Sequence, residues 1–138
     1  MSNIYQIFRS EAMSMRAQMK KEGEFTVVTL DGNTEYQNSR ELSDKLKNLY
    51  GEHGVDRILI DMANLDFVGS SGIRNFIETL KAINTAQKKK TRLCGVKSEF
   101  RRIFEVMARG EFEMFETREE AMLIMEEIAK TAKMPRST

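Results

Sequence analysis

The 138-residue sequence has no tryptophan, one cysteine, one histidine and one proline. A single cysteine excludes an internal disulfide. One cysteine with one histidine cannot build a Cys/His zinc cluster within the chain. Charge of one sign is also lacking: 22 Lys and Arg stand against 21 Asp and Glu, a formal net charge of +1. That balance gives no general electrostatic reason to bind nucleic acid or coat a membrane. No apolar run approaches the roughly 18 residues that span a bilayer. The leading stretch MSNIYQIFRSEAMS carries charges and no apolar core, against a secretory signal. A lone thiol fits a reducing compartment, so the expected location is the cytoplasm.

What is present is an ordinary globular composition, 41% hydrophobic and 31% charged. The length suits one domain and is marginal for two. Cys94 lies in TRLCGV and reads as a small buried hydrophobe in a strand. His53 lies in GEHGVD and reads as a surface loop residue. One histidine with no paired nucleophile is a poor basis for triad chemistry. Of the 10 methionines, Met107, Met122 and Met125 read as core fillers. Met13, Met15 and Met19 suit an adaptable binding surface.

Along the chain, strands are expected at 13–20, 25–30, 57–62, 92–96 and 112–115. FTVVTL (25–30) is rich in β-branched residues and is closed by Asp31 and Gly32. RILIDM (57–62) is a nearly continuous apolar run, which suits a central strand covered on both faces. Helices are expected at about 39–50, 71–86, 98–109 and from 118 onward. Leu42, Leu46 and Leu49 stripe the first, with Asn38 or Ser39 as its cap. Ile73, Phe76, Ile77, Leu80 and Ile83 stripe the second. KKK at 88–90 then reads as a solvated helix end. Phe100, Ile103, Phe104 and Met107 face inward on the third helix, which Gly110 stops. Thr117 and Glu120 form a capping box for the fourth, lined by Ala121, Met122, Ile124, Met125 and Ile128. This alternation predicts an α/β fold with a mixed sheet of four to five strands and four helices, mainly on one face. Residues 1–11 stand apart as an arm, 12–131 as the domain and 132–138 as a flexible tail.

The densest unusual chemistry is DFVGSSG, 66–72, between the apolar strand and the second helix. Two glycines bracket two hydroxyls where a helix start leaves backbone N–H groups without partners. Two readings follow. Ser70 or Ser71 is only an N-cap, with Gly69 completing a turn. Alternatively, the turn is a binding or modification site whose helix dipole favours an added anion. A P-loop is excluded by the absence of GxxxxGK[ST]. A serine-hydrolase elbow is excluded because the segment reads G-S-S-G.

The stretch ILIDMANLDFVGSSGIRNFIETLKAI, 58–83, resembles the signature region of STAS domains, and within them the bacterial anti-sigma factor antagonists. FTVVTLDGNTEYQNSREL (25–42) and RLCGVKSEFRRIFEVMARGEFEMFETREEAM (92–122) resemble the family's earlier and later parts, so the likeness spans about 12–130. It implies that Ser70, with Ser71 as second candidate, is phosphorylated by an anti-sigma factor with serine kinase activity. It further implies that a serine phosphatase resets the modification. The implied partner contacts are Glu35, Asp66, Phe67, Val68, Gly69, Ser71, Gly72, Ile73 and Arg74. No cofactor, metal or catalytic residue is implied. Two positions depart from the pattern. The family's Asp before the phosphorylated serine is Gly69 here, and its Gly-Glu-Leu-Asp is Gly32-Asn33-Thr34-Glu35. Asp61 occupies the family's strand-end Asp and reads as satisfying nearby backbone amides.

The expectation is therefore a partner-switching regulator of transcription or signalling, working through a charge switch, with a homodimer through residues 1–11 as an added contact. An unphosphorylated STAS scaffold or accessory subunit of a signalling or transport complex is the first alternative. A small phosphate-ligand-binding α/β protein or enzyme is the second.

Overall fold

The computed structural model describes residues 4–9, 15–34 and 36–133. It contains β1 (Ile4–Arg9), β2 (Met15–Glu22), β3 (Phe25–Thr34), α1 (Tyr36–His53), a 3-10 turn (Val55–Arg57), β4 (Ile58–Phe67) and α2 (Gly69–Gln87). These are followed by β5 (Arg92–Cys94), α3 (Ser98–Ala108), β6 (Glu113–Phe115) and α4 (Arg118–Lys133). The strands form one sheet in the order β1-β2-β3-β4-β5-β6. β1, β2 and β3 pair antiparallel, while β3 to β6 pair parallel. The class is the expected mixed α/β with four α-helices. The strand count is six rather than four to five, because residues 4–9 pair along β2 as an edge strand.

Successive crossovers β3-α1-β4, β4-α2-β5 and β5-α3-β6 all step the same way across the sheet. Since such crossovers share one hand, their helices lie on the same face. The larger core forms there, where Val28, Leu30, Ile58, Ile60 and Met62 meet Leu42, Leu46, Phe76, Leu80 and Phe104. The intervening residues Val27, Leu59 and Cys94 point the other way and pack under Ala121 and Met125 of α4. Strand residues alternate faces, and both faces are covered, so β4 reads as an unbroken apolar run.

Several local expectations are corrected. Asp31 and Gly32 do not end β3, which continues to Thr34; Gly32 is accommodated at φ 95°, and the pairing with β4 shifts register between Thr29 and Asp31. Likewise β4 does not stop at Met62 but runs to Phe67. The two strand ends stabilise each other beyond the reach of β5, which pairs only with residues 59–61. β5 itself stops at Cys94 because Gly95 turns at φ 71°. α1 starts at Tyr36, so Asn38 and Ser39 lie inside it rather than at its cap. His53 is in the last residue position of α1 and half-buried, not in a loop.

Met15 is fully buried and Met19 packs on the core, so neither forms an adaptable surface; Met13 lies outside the described residues. On α4 only the centre of the apolar stripe is covered, since among the described residues α4 is the one helix on that face. Ile124 and Ile128 remain 39% and 45% exposed. The α4 cap is also modified. Thr117 Oγ1 accepts from Glu120 N at 3.1 Å, but the Glu120 carboxylate accepts from Glu116 N, one residue before the expected partner.

Candidate functional site

The paired ends of β3 and β4 run on past β5 and set Asn33 beside Asp66 and Thr34 beside Phe67. The half-buried Phe67 ring anchors this ribbon. Its centroid is 5.5 Å from Phe76 of α2 and 5.0 Å from Phe100 of α3, the latter edge-on at 87°. Such aromatic contacts add about 0.5–1.5 kcal/mol each beyond burial. They fix where the chain leaves the sheet.

Val68 then occupies the N-cap of α2 in extended conformation, with no side-chain capping bond, and is 49% exposed. Gly69 enters the helix at φ 77°, a left-handed conformation that costs a side chain about 1–2 kcal/mol. Ser70 and Ser71 follow in the first turn, both exposed. The reading of either serine as the N-cap is therefore overturned: the cap lies two residues before Ser70. Neither serine hydroxyl is committed to capping, and no acidic residue occupies the first turn. The first turn of α2 therefore supplies no carboxylate of its own to offset the positive end of its dipole.

Among the remaining predicted residues, Gly72 and Ile73 are buried on the core side of α2. Arg74 is exposed one turn beyond Ser70. Asp66 is half-buried and accepts from Lys97 Nζ at 2.6 Å. Glu35 lies outside the described residues. The structure thus brings Asp66, Val68, Gly69, Ser70, Ser71 and Arg74 to one end of the sheet. Phe67, Gly72 and Ile73 form the floor beneath them.

Lys97 was not singled out from the sequence. It sits in the turn after β5, 31 residues from its partner, and only the sheet order brings the two together. Arg118 was also missed. Its Nε lies 3.4 Å from Asp61 Oδ2, and its Nη2 donates to Thr29 Oγ1 at 2.9 Å. Asp61 meanwhile accepts from Ala63 N at 3.0 Å, the amide role expected of it. These groups lie under α4 and not at the serine turn.

The reactive residue types are elsewhere. Cys94 is fully buried in β5, and burial, reinforced by the nearby Asp61 carboxylate, pushes its thiol up to about 12. Such a thiol carries almost no thiolate near neutrality and is a poor nucleophile. His53 closes α1 at the opposite end of the sheet from the serine turn. A cleft of about 190 Å³ opens between Val96, Arg101, Glu105, Met114, Phe115 and Glu116, without any residue of 66–72 in its walls. Among the described residues no cluster of His, Cys, Asp or Glu is placed to hold a metal, and no helix is long and apolar enough to cross a membrane.

A mixed sheet with three crossover helices on one face and an uncapped serine turn at its end defines a SpoIIAA-like α/β domain. The chain belongs to the STAS domain family, whose sequence profile matches residues 16–121. Among proteins with curated functions, none matches the chain. Solved structures agree on the fold. The Bacillus cell fate determinant SpoIIAA, in phosphorylated form, superimposes with a TM-score of 0.58 at 21% identity, covering 78% of this chain and 97% of that one. An anti-sigma factor antagonist from Mycobacterium paratuberculosis gives 0.65 at 16% identity, covering 86% and 99%. RsbS from Moorella thermoacetica gives 0.63 at 15% identity, covering 81% and 96%.

Proposed function

We propose that this protein is an anti-sigma factor antagonist of the partner-switching kind, binding an anti-sigma factor that is also a serine kinase and released from it by phosphorylation of Ser70. The observation that carries the reading is the exposure of Ser70 in the first turn of α2, free of any capping duty. It stands where the family pattern places the phosphorylated hydroxyl. SpoIIAA, of like fold, exists in phosphorylated and unphosphorylated forms.

The mechanism is electrostatic. Unmodified Ser70 offers an uncharged hydroxyl beside Val68, Gly69 and Ser71, supported from below by Phe67, Gly72 and Ile73, with Arg74, Asp66 and Glu35 as charged contacts. A phosphoryl group adds about −1.5 to −2 charges. Burying that charge against a surface fitted to a hydroxyl is costly unless a cation meets it. The helix dipole tolerates the phosphate in the free protein, so modification penalises the complex more than the free chain. Catalysis and ATP belong to the kinase partner. A serine phosphatase restores the binding form, and the cycle runs in the cytoplasm.

Gly69 favours a second reading, an unphosphorylated STAS scaffold or accessory subunit, because the family's carboxylate is missing beside the serine. One experiment separates the two. The protein is incubated with its cognate serine kinase and ATP, and phosphate is mapped by mass spectrometry in wild type, Ser70→Ala and Ser71→Ala. Modification lost only in Ser70→Ala supports the switch. No modification, together with unchanged partner binding by Ser70→Glu, sinks it and leaves the scaffold. We extend the proposal to a homodimer through residues 1–11, supported by the 49% and 56% exposure of Ile4 and Tyr5 on the edge strand β1.

A further inference from the structure

The β4 end that leads into the serine turn is held by a lysine from outside it. After Cys94 the chain turns at Gly95, whose backbone lies against Ala63 in the middle of β4. This turn carries Lys97 to the residue preceding α3, beside the end of β4. Its Nζ donates to Asp66 Oδ1 at 2.6 Å. Asp66 is four residues before Ser70, and Phe67 between them rests on Phe100 of α3. The first turn of α3 is therefore tied to the serine turn twice, by an ion pair and by a ring contact.

The ion pair is poised to change. Lys97 stands at the N-terminus of α3, where the dipole disfavours a cation; the Asp66 carboxylate offsets that cost. The pair is only half withdrawn from water, with the Asp66 and Lys97 side chains 48% and 31% exposed. Such exposed pairs contribute only about 0–1 kcal/mol. A phosphoserine carries up to twice the charge of a carboxylate and three strong acceptor oxygens. A lysine presents a compact charge on a flexible four-carbon stem, with no fixed fork that ties it to one acceptor.

Resting on the reading of Ser70 as the modified residue, we propose that Lys97 is the positioning residue of the switch: a negative group on Ser70 draws its ammonium from Asp66, so that the first turn of α3 registers the state of α2. The partner surface then extends to α3, and the unmodified state is the one with Asp66 and Lys97 mutually neutralised.

The test needs no kinase. Ser70→Glu and Ser70→Gln are compared by amide NMR. Lys97 and Phe100 signals are expected to move with Glu and to stay with Gln. In a double-mutant cycle of Ser70→Glu with Lys97→Gln, unfolding midpoints should depart from additivity by about 1–2 °C at low salt, given exposed-pair energies and the scaling of midpoint with size. Lys97→Arg should keep the departure, and 1 M salt should erase it. Amide shifts confined to α2 with additive midpoints would overturn the role of Lys97 while leaving Ser70 phosphorylation standing. Failure of the kinase to modify Ser70 would overturn the phosphorylation reading by itself.

Discussion

Gly95 and Ala63 are in such close apposition that a Cβ on Gly95 would stand 2.9 Å from the Ala63 backbone nitrogen and 3.0 Å from its Cβ. No rotamer change relieves a clash with backbone. The φ of 71° at Gly95 adds a second reason for glycine. This apposition seats the β5–α3 turn against β4 and so delivers Lys97 to Asp66.

Gly95→Ala is accordingly expected to destabilise the fold by about 3 kcal/mol, from left-handed backbone strain and overpacking together. Gly23→Ala is the control. Gly23 has a similar φ of 63° but nothing within 4 Å of its would-be Cβ, so only the strain of about 1 kcal/mol applies. Urea denaturation of both variants checks the difference. Equal losses would show that the Ala63 contact is irrelevant.

Phe67→Ala removes the ring that meets Phe76 and Phe100. The ring is half-buried, so the expected loss is about 2 kcal/mol, below that of a fully buried phenylalanine. Partner binding should weaken along with stability, because residues 68–71 lose the anchor that sets their exit from the sheet. Binding that is intact at a temperature where the variant stays folded would separate the ring from the site.

Cys94 predicts an alkaline transition. Burial raises its thiol from 9.0 to about 12 in the folded chain. A folded-state value above the unfolded one contributes stability that is complete below pH 9 and is lost as pH rises toward 12. The stability advantage of wild type over Cys94→Ala should shrink by about 1 kcal/mol per pH unit above 9. The native thiol should also resist Ellman's reagent at neutral pH until the protein unfolds. Parallel pH profiles for the two proteins would contradict this account.

β1 is an edge strand whose outward backbone groups invite pairing. If the proposed homodimer forms there, light scattering should give twice the chain mass for wild type, and a charged residue at Ile4 or Tyr5 should return it to monomer. A monomeric wild type at 100 micromolar protein, on the order of a weak interface's dissociation constant, would remove the dimer from the proposal.

The periodic segments were legible because their signals are local. Every apolar position assigned to α2 is buried, and the continuous run of RILIDM marks a strand covered on both faces. The misreadings lie where a tertiary neighbour outweighed a local rule. Asp31 and Gly32 carry a turn signal, yet they continue β3 because β4 pairs alongside as far as Phe67. Ser70 and Ser71 look like caps, yet Val68 holds that place because the strand extends to its very border. Ile124 and Ile128 fit the α4 stripe, but one helix cannot cover its whole flank. The serine pair was visible as GSSG, whereas Lys97 and Arg118 became part of the account only through partners 31 and 57 residues away by the numbering.

By itself the sequence determined the alternation of strands and helices, the inward stripes, and the exclusion of disulfide and intrachain Cys/His zinc chemistry. These follow from residue type and spacing alone, since side-chain direction repeats every two or 3.6 residues. Tertiary structure alone decided that residues 4–9 close one edge of the sheet, that the paired ends of β3 and β4 carry the chain past β5 to the serine turn, and that Lys97 meets Asp66. The reason is that sheet order and crossover hand bring together residues whose separation along the chain carries no local signal.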